Sequence, residues 1–187
     1  MVVVLIGMKH CGKSTLGRGL ARRWRCAFFD VDELLEKDYA RQAAPAGAER
    51  VSAREIFRRE GEAGFAELEA RVVRQLAEKL AAKNERAVVA VGGRTALNPA
   101  AQGLLRGLGR VVYLKAQPQE LLKRVRRGEW PAFVDEKDPE GDFLRFCAQR
   151  EPQYEHVADT VVEVSGLGVN EALARLAGAV EECGDGG

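Results

Sequence analysis

The chain carries almost no net charge: 29 Lys and Arg against 28 Asp and Glu leave +1 over 187 residues. That excludes the overall basic field that draws a protein to nucleic acid. Long hydrophobic runs are missing as well. The apolar start, Met1–Ile6, is far too short to span a bilayer, and it lacks the basic region and cleavage pattern of a secretion signal. Neither a nucleic-acid nor a membrane partner is expected. Cysteine is sparse: Cys11, Cys26, Cys147 and Cys183 are scattered, with no CxxC pair. Such spacing fits neither a zinc site nor a disulfide framework, so free thiols in a reducing cytoplasm are expected. Internal repeats, low-complexity tracts and the N-K-x-D segment of guanine-specific switch proteins are also absent.

What remains is the composition of an ordinary globular chain, 46% apolar and 30% charged. Its length suits one domain over 1–187 rather than two. Met1–Ile6 is a short run of β-branched and apolar residues ending at Gly7, which predicts a strand buried on both faces. Helical spacing follows through Leu16, Leu20 and Trp24. Further strands are predicted at Ala27–Phe29, Ala87–Val91, Val111–Leu114 and Thr160–Val164. Helices are predicted at Val31–Tyr39, Ser52–Ala82, Pro99–Gly107, Pro118–Arg127, Phe143–His156 and from Asn170. Breaks are expected near Ala43–Gly47 and near Glu60–Gly64, and Ser52 with Glu55 has capping-box spacing. Gly128–Asp142 holds two Gly, two Pro and six acidic residues, the composition of an exposed mobile loop. The tail Gly184–Gly187 is expected to be disordered. Strands alternating with helices predict a three-layer α/β fold with a five-stranded parallel sheet. Ligands in such folds collect at the carboxyl ends of the strands. Gly7, then Asp30 and Asp32, then Gly92–Arg94 fall there.

Gly7-Met-Lys-His-Cys-Gly12-Lys13-Ser14-Thr15 fits G-x-x-x-x-G-K-[ST] between a strand and a helix, as a phosphate-binding loop requires. Glycines let the backbone curl so that successive N–H groups face phosphate oxygens, and the next helix adds its positive end. Lys13 is expected to reach the β- and γ-phosphates of ATP, and the Ser14 hydroxyl to ligate Mg²⁺. His10 and Cys11 read either as an imidazole base with a thiol nucleophile or as side chains tolerated at variable positions of the motif. Asp30 and Asp32 read either as helix-capping acids or as the metal and proton-handling carboxylates that phosphoryl transfer needs. Glu62 and Glu69 read as helix-surface charges.

Three further segments lie behind this loop. They are Asp30-Val-Asp32, then Arg54-Glu-Ile-Phe57 running into Gly61-Glu62-x-x-Phe65, and Arg150-x-Pro-x-Tyr154-x-x-x-Ala158-Asp159. In this order and spacing the chain resembles the shikimate kinases over roughly residues 2–180. The resemblance implies a nucleoside-monophosphate-kinase-like fold with a mobile lid near 127–138 and acceptor-binding helices near 31–83. It also implies transfer of a phosphoryl group from ATP to the 3-hydroxyl of shikimate; a cytoplasmic monomer is expected. Residue by residue, it implies Asp30 in the Mg²⁺ shell through water, beside Ser14, and Lys13 on the transferred phosphate. Gly7, Gly12, Ser14 and Thr15 would hold ATP, with Arg124 near the adenine. Asp32 would hold the acceptor hydroxyls and take the proton. Gly92 and Gly93 would line the acceptor pocket, and Arg150 would grip the carboxylate.

The sequence departs from that family on the acceptor side. The Arg that follows the Phe of GE-x-x-F is Ala66 here, and the third Gly after strand three is Arg94. The lid's Arg-Pro-Leu-Leu reads Trp130-Pro131-Ala132-Phe133, and a Gly of the phosphate loop is His10. Arg94 is therefore expected either to point at the acceptor as a replacement cation, or to turn to solvent or a lid acid. Trp130 either caps the pocket or covers the apolar base of the lid. Two alternatives to a shikimate kinase stand at this point: a relative acting on another polyol or hydroxy acid, and a non-catalytic nucleotide-binding module.

Overall fold

The computed structural model describes residues 1–43, 51–83, 85–128, 130–131, 134–135 and 137–181. Positions 44–47 of the first expected helix break, residues 129, 132, 133 and 136 of the expected lid, Cys183, and the tail 184–187 lie outside the described residues.

Five strands, β1 (Val2–Ile6), β2 (Ala27–Asp30), β3 (Ala87–Ala90), β4 (Arg110–Lys115) and β5 (Thr160–Glu163), form one sheet in the order β2-β3-β1-β4-β5. Every pairing is parallel. The central strand, β1, is apolar throughout, because helices cover both faces of such a sheet. Its Val3, Val4, Leu5 and Ile6 are fully buried. Register sets Val4 beside Val89 of β3 and Val111 of β4, so all five carboxyl ends point the same way. The phosphate loop leaves the end of the central strand and enters α1 (Lys13–Trp24).

The remaining helices are α2 (Val31–Ala43), α3 (Ala53–Lys83), α4 (Pro99–Leu108), α5 (Pro118–Val125), α6 (Pro139–Val157) and α7 (Val169–Glu181). A 3₁₀ turn spans Thr95–Leu97. The start of α3 is doubly capped. Ser52 Oγ accepts from Glu55 N at 3.3 Å, and Glu36 Oε1 of α2 accepts from Ala53 N at 2.9 Å. The break expected near Glu60–Gly64 falls at Gly61, with φ 69° and ψ −175° inside α3, a conformation open essentially to glycine alone. The sequence reading placed the start of α6 too late, at Phe143. The helix begins at Pro139 because Asp138 caps it, its carboxylate accepting from Gly141 N at 3.1 Å, with Pro in the first turn. Pro139–Asp142 thus belong to that helix rather than to the loop before it. Among the described residues no helix is long and apolar enough to cross a membrane.

Candidate active site

The phosphate loop turns on backbone that few side chains adopt. Gly12, which precedes α1, has φ 102°, and His10 has φ 68°. His10 therefore occupies a glycine-favouring conformation with a side chain present. Its ring Nε2 is buried with no hydrogen-bond partner among the described residues. Burial first, then the charges of Lys9, Lys13 and Arg124, lower its pKa below the ordinary value. The neighbouring Cys11 is buried, with its sulfur 3.9 Å from Lys13 Nζ. It does not line the cavity that the loop borders, which removes the nucleophile reading and leaves that of a tolerated side chain.

Lys13 Nζ donates to the carbonyls of Gly7 and Met8, each at 2.9 Å, so the ammonium is folded over the loop. The first turn of α1 has no acidic residue and no side-chain cap, which leaves its N–H groups available to an anion. Ser14 Oγ donates to Asp30 Oδ2 at 2.7 Å, across from α1 to the end of β2. Asp30 also accepts from Asp32 N at 3.2 Å through Oδ1. The capping reading of Asp30 is realised: one oxygen accepts from the first turn of α2, while the other faces Ser14. This hydroxyl and carboxylate form the sparse, hard oxygen set that suits Mg²⁺ beside phosphate oxygens.

Asp32, on the first turn of α2, points toward the turn after β3. A Cβ on Gly92 would lie 2.9 Å from Asp32 Oδ1, 3.0 Å from Thr95 Oγ1 and 3.2 Å from Glu69 Oε1. The missing side chain at 92 is what lets these three groups converge. Burial, then the negative charges of Asp30 and Glu36, push the Asp32 carboxyl up to about 6, against the pull of Lys13 and Lys9. Glu69 corrects the sequence reading. It is not a surface charge but a buried one, 2% exposed, accepting from Thr95 Oγ1 at 2.6 Å. Burial raises it to about 7. A signal for this was present. Glu69 shares a helical stripe with Phe65, Val72, Val73, Leu76 and Leu80, all buried on α3. Glu62, by contrast, is 73% exposed as expected.

A cavity of about 500 Å³ gathers most of the predicted residues. Lys13, Ser14, Thr15 and Gly12 border it with Arg124 on one side, and Asp30 and Asp32 with them. Gly92, Gly93, Arg94 and Arg150 complete it. Of the predicted set only Gly7 is not among its lining residues. Arg124 Nη1 donates to the His10 carbonyl at 3.0 Å, bracing the phosphate loop. Arg150 of α6 is buried, 5% exposed, with its guanidinium 4.9 Å from the Phe146 ring centre. Burial lowers its pKa, and the charge of Arg94 adds to that. Tyr154, one turn further on, is wholly buried. Its hydroxyl donates to the Gly93 carbonyl and stands 3.6 Å from Met8 Sδ, tying the turn after β3 to the phosphate loop.

Arg94 resolves its two alternatives in an unexpected way. It lines the cavity, yet it is ion-paired, and its partner is Glu62 of α3 rather than a lid acid. The guanidinium stands 5.4 Å from the centre of the Phe57 ring and is 28% exposed. Trp130 packs edge-on against Phe143 of α6 at 6.3 Å, so it covers the apolar base. Its neighbour Pro131 is the residue that borders the cavity. Arg54, on the first turn of α3, also lines the cavity, with its Nε sealed from solvent.

A phosphate loop on the central strand of a five-stranded parallel sheet, opposite paired carboxylates and a guanidinium-lined recess, defines a P-loop phosphotransferase. Its family follows from the comparisons. The shikimate kinase family model matches residues 9–180, and the chain belongs to the shikimate kinase family. It is 36% identical over 179 residues to a shikimate kinase of Burkholderia lata, spanning 93% of this chain and 89% of that one. Against a shikimate kinase of Francisella tularensis the identity is 32% over 174 residues, spanning 93% and 91%. The structure superposes on a shikimate kinase from Acinetobacter baumannii in complex with shikimate. There the TM-score is 0.82 at 25% identity, over 97% of this chain and 93% of that one. The Aquifex aeolicus shikimate kinase gives a TM-score of 0.74 at 26% identity over the whole of both chains.

Proposed function

We propose that this chain transfers the γ-phosphoryl group of ATP to the 3-hydroxyl of shikimate, with Mg²⁺ held through Ser14 and Asp30. The observation that carries the reading is one cavity bordered by the phosphate loop, by Asp32, and by Arg94 and Arg150. Phosphoryl transfer needs alignment and charge neutralisation more than covalent help. Lys13 and the N–H groups of the loop hold the phosphates, and the metal ion supplies further charge neutralisation when bound. Asp32, lying between the Lys13 charge and the Gly92 turn, orients the attacking hydroxyl and accepts its proton.

The acceptor carboxylate then binds at Arg94 and Arg150. Two guanidinium groups close enough for one to lower the pKa of the other favour an anion between them. Arg94 thereby takes over the cation that Ala66 no longer supplies. Losing a buried Arg–carboxylate contact typically costs about 2–5 kcal/mol, so without a replacement shikimate would bind poorly. On this reading the chain acts as one domain, a cytoplasmic monomer whose partners are ATP and the acceptor.

The test is a coupled kinase assay on shikimate, gluconate, inositol and related hydroxylated acids. Turnover of shikimate, lost in Asp32→Asn with ATP binding intact, supports the proposal. The second reading, another hydroxy acid in the same cavity, is favoured by the Ala66 and Arg94 exchange. Efficient turnover of a different acid with none of shikimate would establish it.

A further inference from the structure

A second cavity, of about 560 Å³, adjoins the first. Phe57, Phe65, Glu69, Arg94 and Arg150 line both and so form their common wall. Beyond that wall the second chamber is bordered by Ala66, Asn98, Gln149 and Gln153. Ala66 is the position where the family resemblance expects Arg. With only a Cβ there, the α3 side of the chamber is open, because the cation that faces the wall comes instead from the turn after β3. Arg94 is held in that place by Glu62 and by the Phe57 ring.

The chamber is walled by groups that are already fixed. Asn98 Nδ2 donates to the Ala66 carbonyl at 2.8 Å, while Asn98 Oδ1 accepts from Ala100 N at 3.1 Å. Gln153 Nε2 donates to the Gln149 carbonyl at 2.9 Å. Such a wall resists collapse into the space left at residue 66. Gln149 and Gln153 are exposed, so the chamber opens to water on the α6 side. Its lining mixes amides, charged groups and aromatic rings, the mixture that recognises a polar group on a short arm.

The geometry points to the Ala66 chamber as an extension of the acceptor site. It takes a hydroxy acid that carries an additional polar arm at its carboxylate end. The inference rests on the acceptor reading given above and narrows it. Arg94 and Arg150 stand where the ring and the arm meet, able to hold an anion from either chamber. Family members with a long guanidinium at the position of Ala66 would have that space filled.

The probe is the glycine amide of shikimate, in which the carboxylate is moved outward on an amide arm while the ring hydroxyls are unchanged. Turnover of shikimate and of this conjugate is measured with the full-length chain at saturating ATP. The expected result is a conjugate phosphorylated with a kcat/KM within about tenfold of that for shikimate. Ala66→Arg fills the chamber and lowers the conjugate-to-shikimate ratio of kcat/KM by about tenfold or more. Ala66→Met, a smaller and uncharged filler, does the same where Arg disturbs folding, as judged by melting temperature. Turnover of shikimate with a conjugate that is neither phosphorylated nor a competitive inhibitor overturns this inference alone. An unchanged ratio in both filled variants also overturns it. No turnover of either acceptor overturns the shikimate reading itself, and this inference with it.

Discussion

The Ser14 hydroxyl donates to the Asp30 carboxylate at 2.7 Å, joining the first turn of α1 to the end of β2. Sixteen residues apart in sequence, the two meet because α1 packs back across the sheet and β2 runs parallel at its edge. As the pair assigned to Mg²⁺, they should respond together. Ser14→Ala and Asp30→Asn are each expected to raise the Mg²⁺ concentration needed for half-maximal activity by about tenfold or more. A Mg²⁺ titration at fixed ATP checks this, and curves that overlay the wild type would remove the assignment.

Asp32 and Glu69 both approach Gly92, and both hold protons longer in the folded chain than in the unfolded one. Asp32 rises from 3.8 to about 6 and Glu69 from 4.5 to about 7. The folded state therefore binds more protons through this window, so stability falls as pH climbs from about 4 to about 7. On the proposed role of Asp32, activity runs the opposite way, since its carboxyl must be ionised to accept a proton. We expect kcat/KM to rise with pH along an acid limb near 6, as a property of the coupled pair. Glu36→Gln removes one of the negative charges that raise Asp32 and should move that limb to lower pH. A limb that stays in place would separate the Asp32 and Glu36 carboxyls.

Arg94 is expected to act on the acceptor and not on the nucleotide. Arg94→Ala should raise the acceptor KM by about tenfold or more, leaving the KM for ATP near its wild-type value. Arg94→Lys should restore only part of the loss, because a point charge does not reproduce the planar fork that grips a carboxylate. Equal changes in both KM values would mean that Arg94 only braces the Gly92–Arg94 turn.

Gly61 kinks α3 between the segment bearing Arg54 and Phe57 and the segment bearing Phe65 and Glu69. No heavy atom lies within 4 Å of a Cβ built there, so the cost of a side chain is conformational rather than steric crowding from neighbours. Gly61→Ala is expected to destabilise the chain by about 1–3 kcal/mol, read as a lower midpoint in urea. An unchanged midpoint would mean that the helix straightens at no cost.

Tyr154→Phe removes one hydroxyl from the core and leaves the Gly93 carbonyl short of a donor. A loss of about 0.5–1.5 kcal/mol follows from one hydrogen bond lost at a half-buried carbonyl. The same turn carries Gly92 and Arg94, so the acceptor KM should rise along with the fall in melting temperature. A variant as stable as the wild type would show that the hydroxyl bond is dispensable.

Much of this was readable before folding was considered. The phosphate loop, the acids after β2 and the glycines after β3 are local patterns, each specified by neighbours in the chain. The parallel sheet followed from alternating strand and helix periods. Glu69 escaped because Glu67 and Arg71, two residues to either side, are charged, although Leu68, Ala70 and its helical stripe are apolar. The early start of α6 escaped because Asp138-Pro139 sits in a charge-rich stretch that reads as loop. Both misses came from weighing composition over spacing.

The sequence by itself determined the donor half: a backbone cradle for phosphate with Lys13 and Ser14 needs only a strand, a run of nine residues and a helix. Tertiary structure decided the acceptor half. Gly92 lets Asp32, Thr95 and Glu69 converge from α2, the 3₁₀ turn and α3, and no sequence spacing encodes that meeting. The direction of Arg94 was likewise open until Glu62 and Phe57 were seen to hold it. Long side chains have many rotamers of similar energy, and only the partners assembled around them select one.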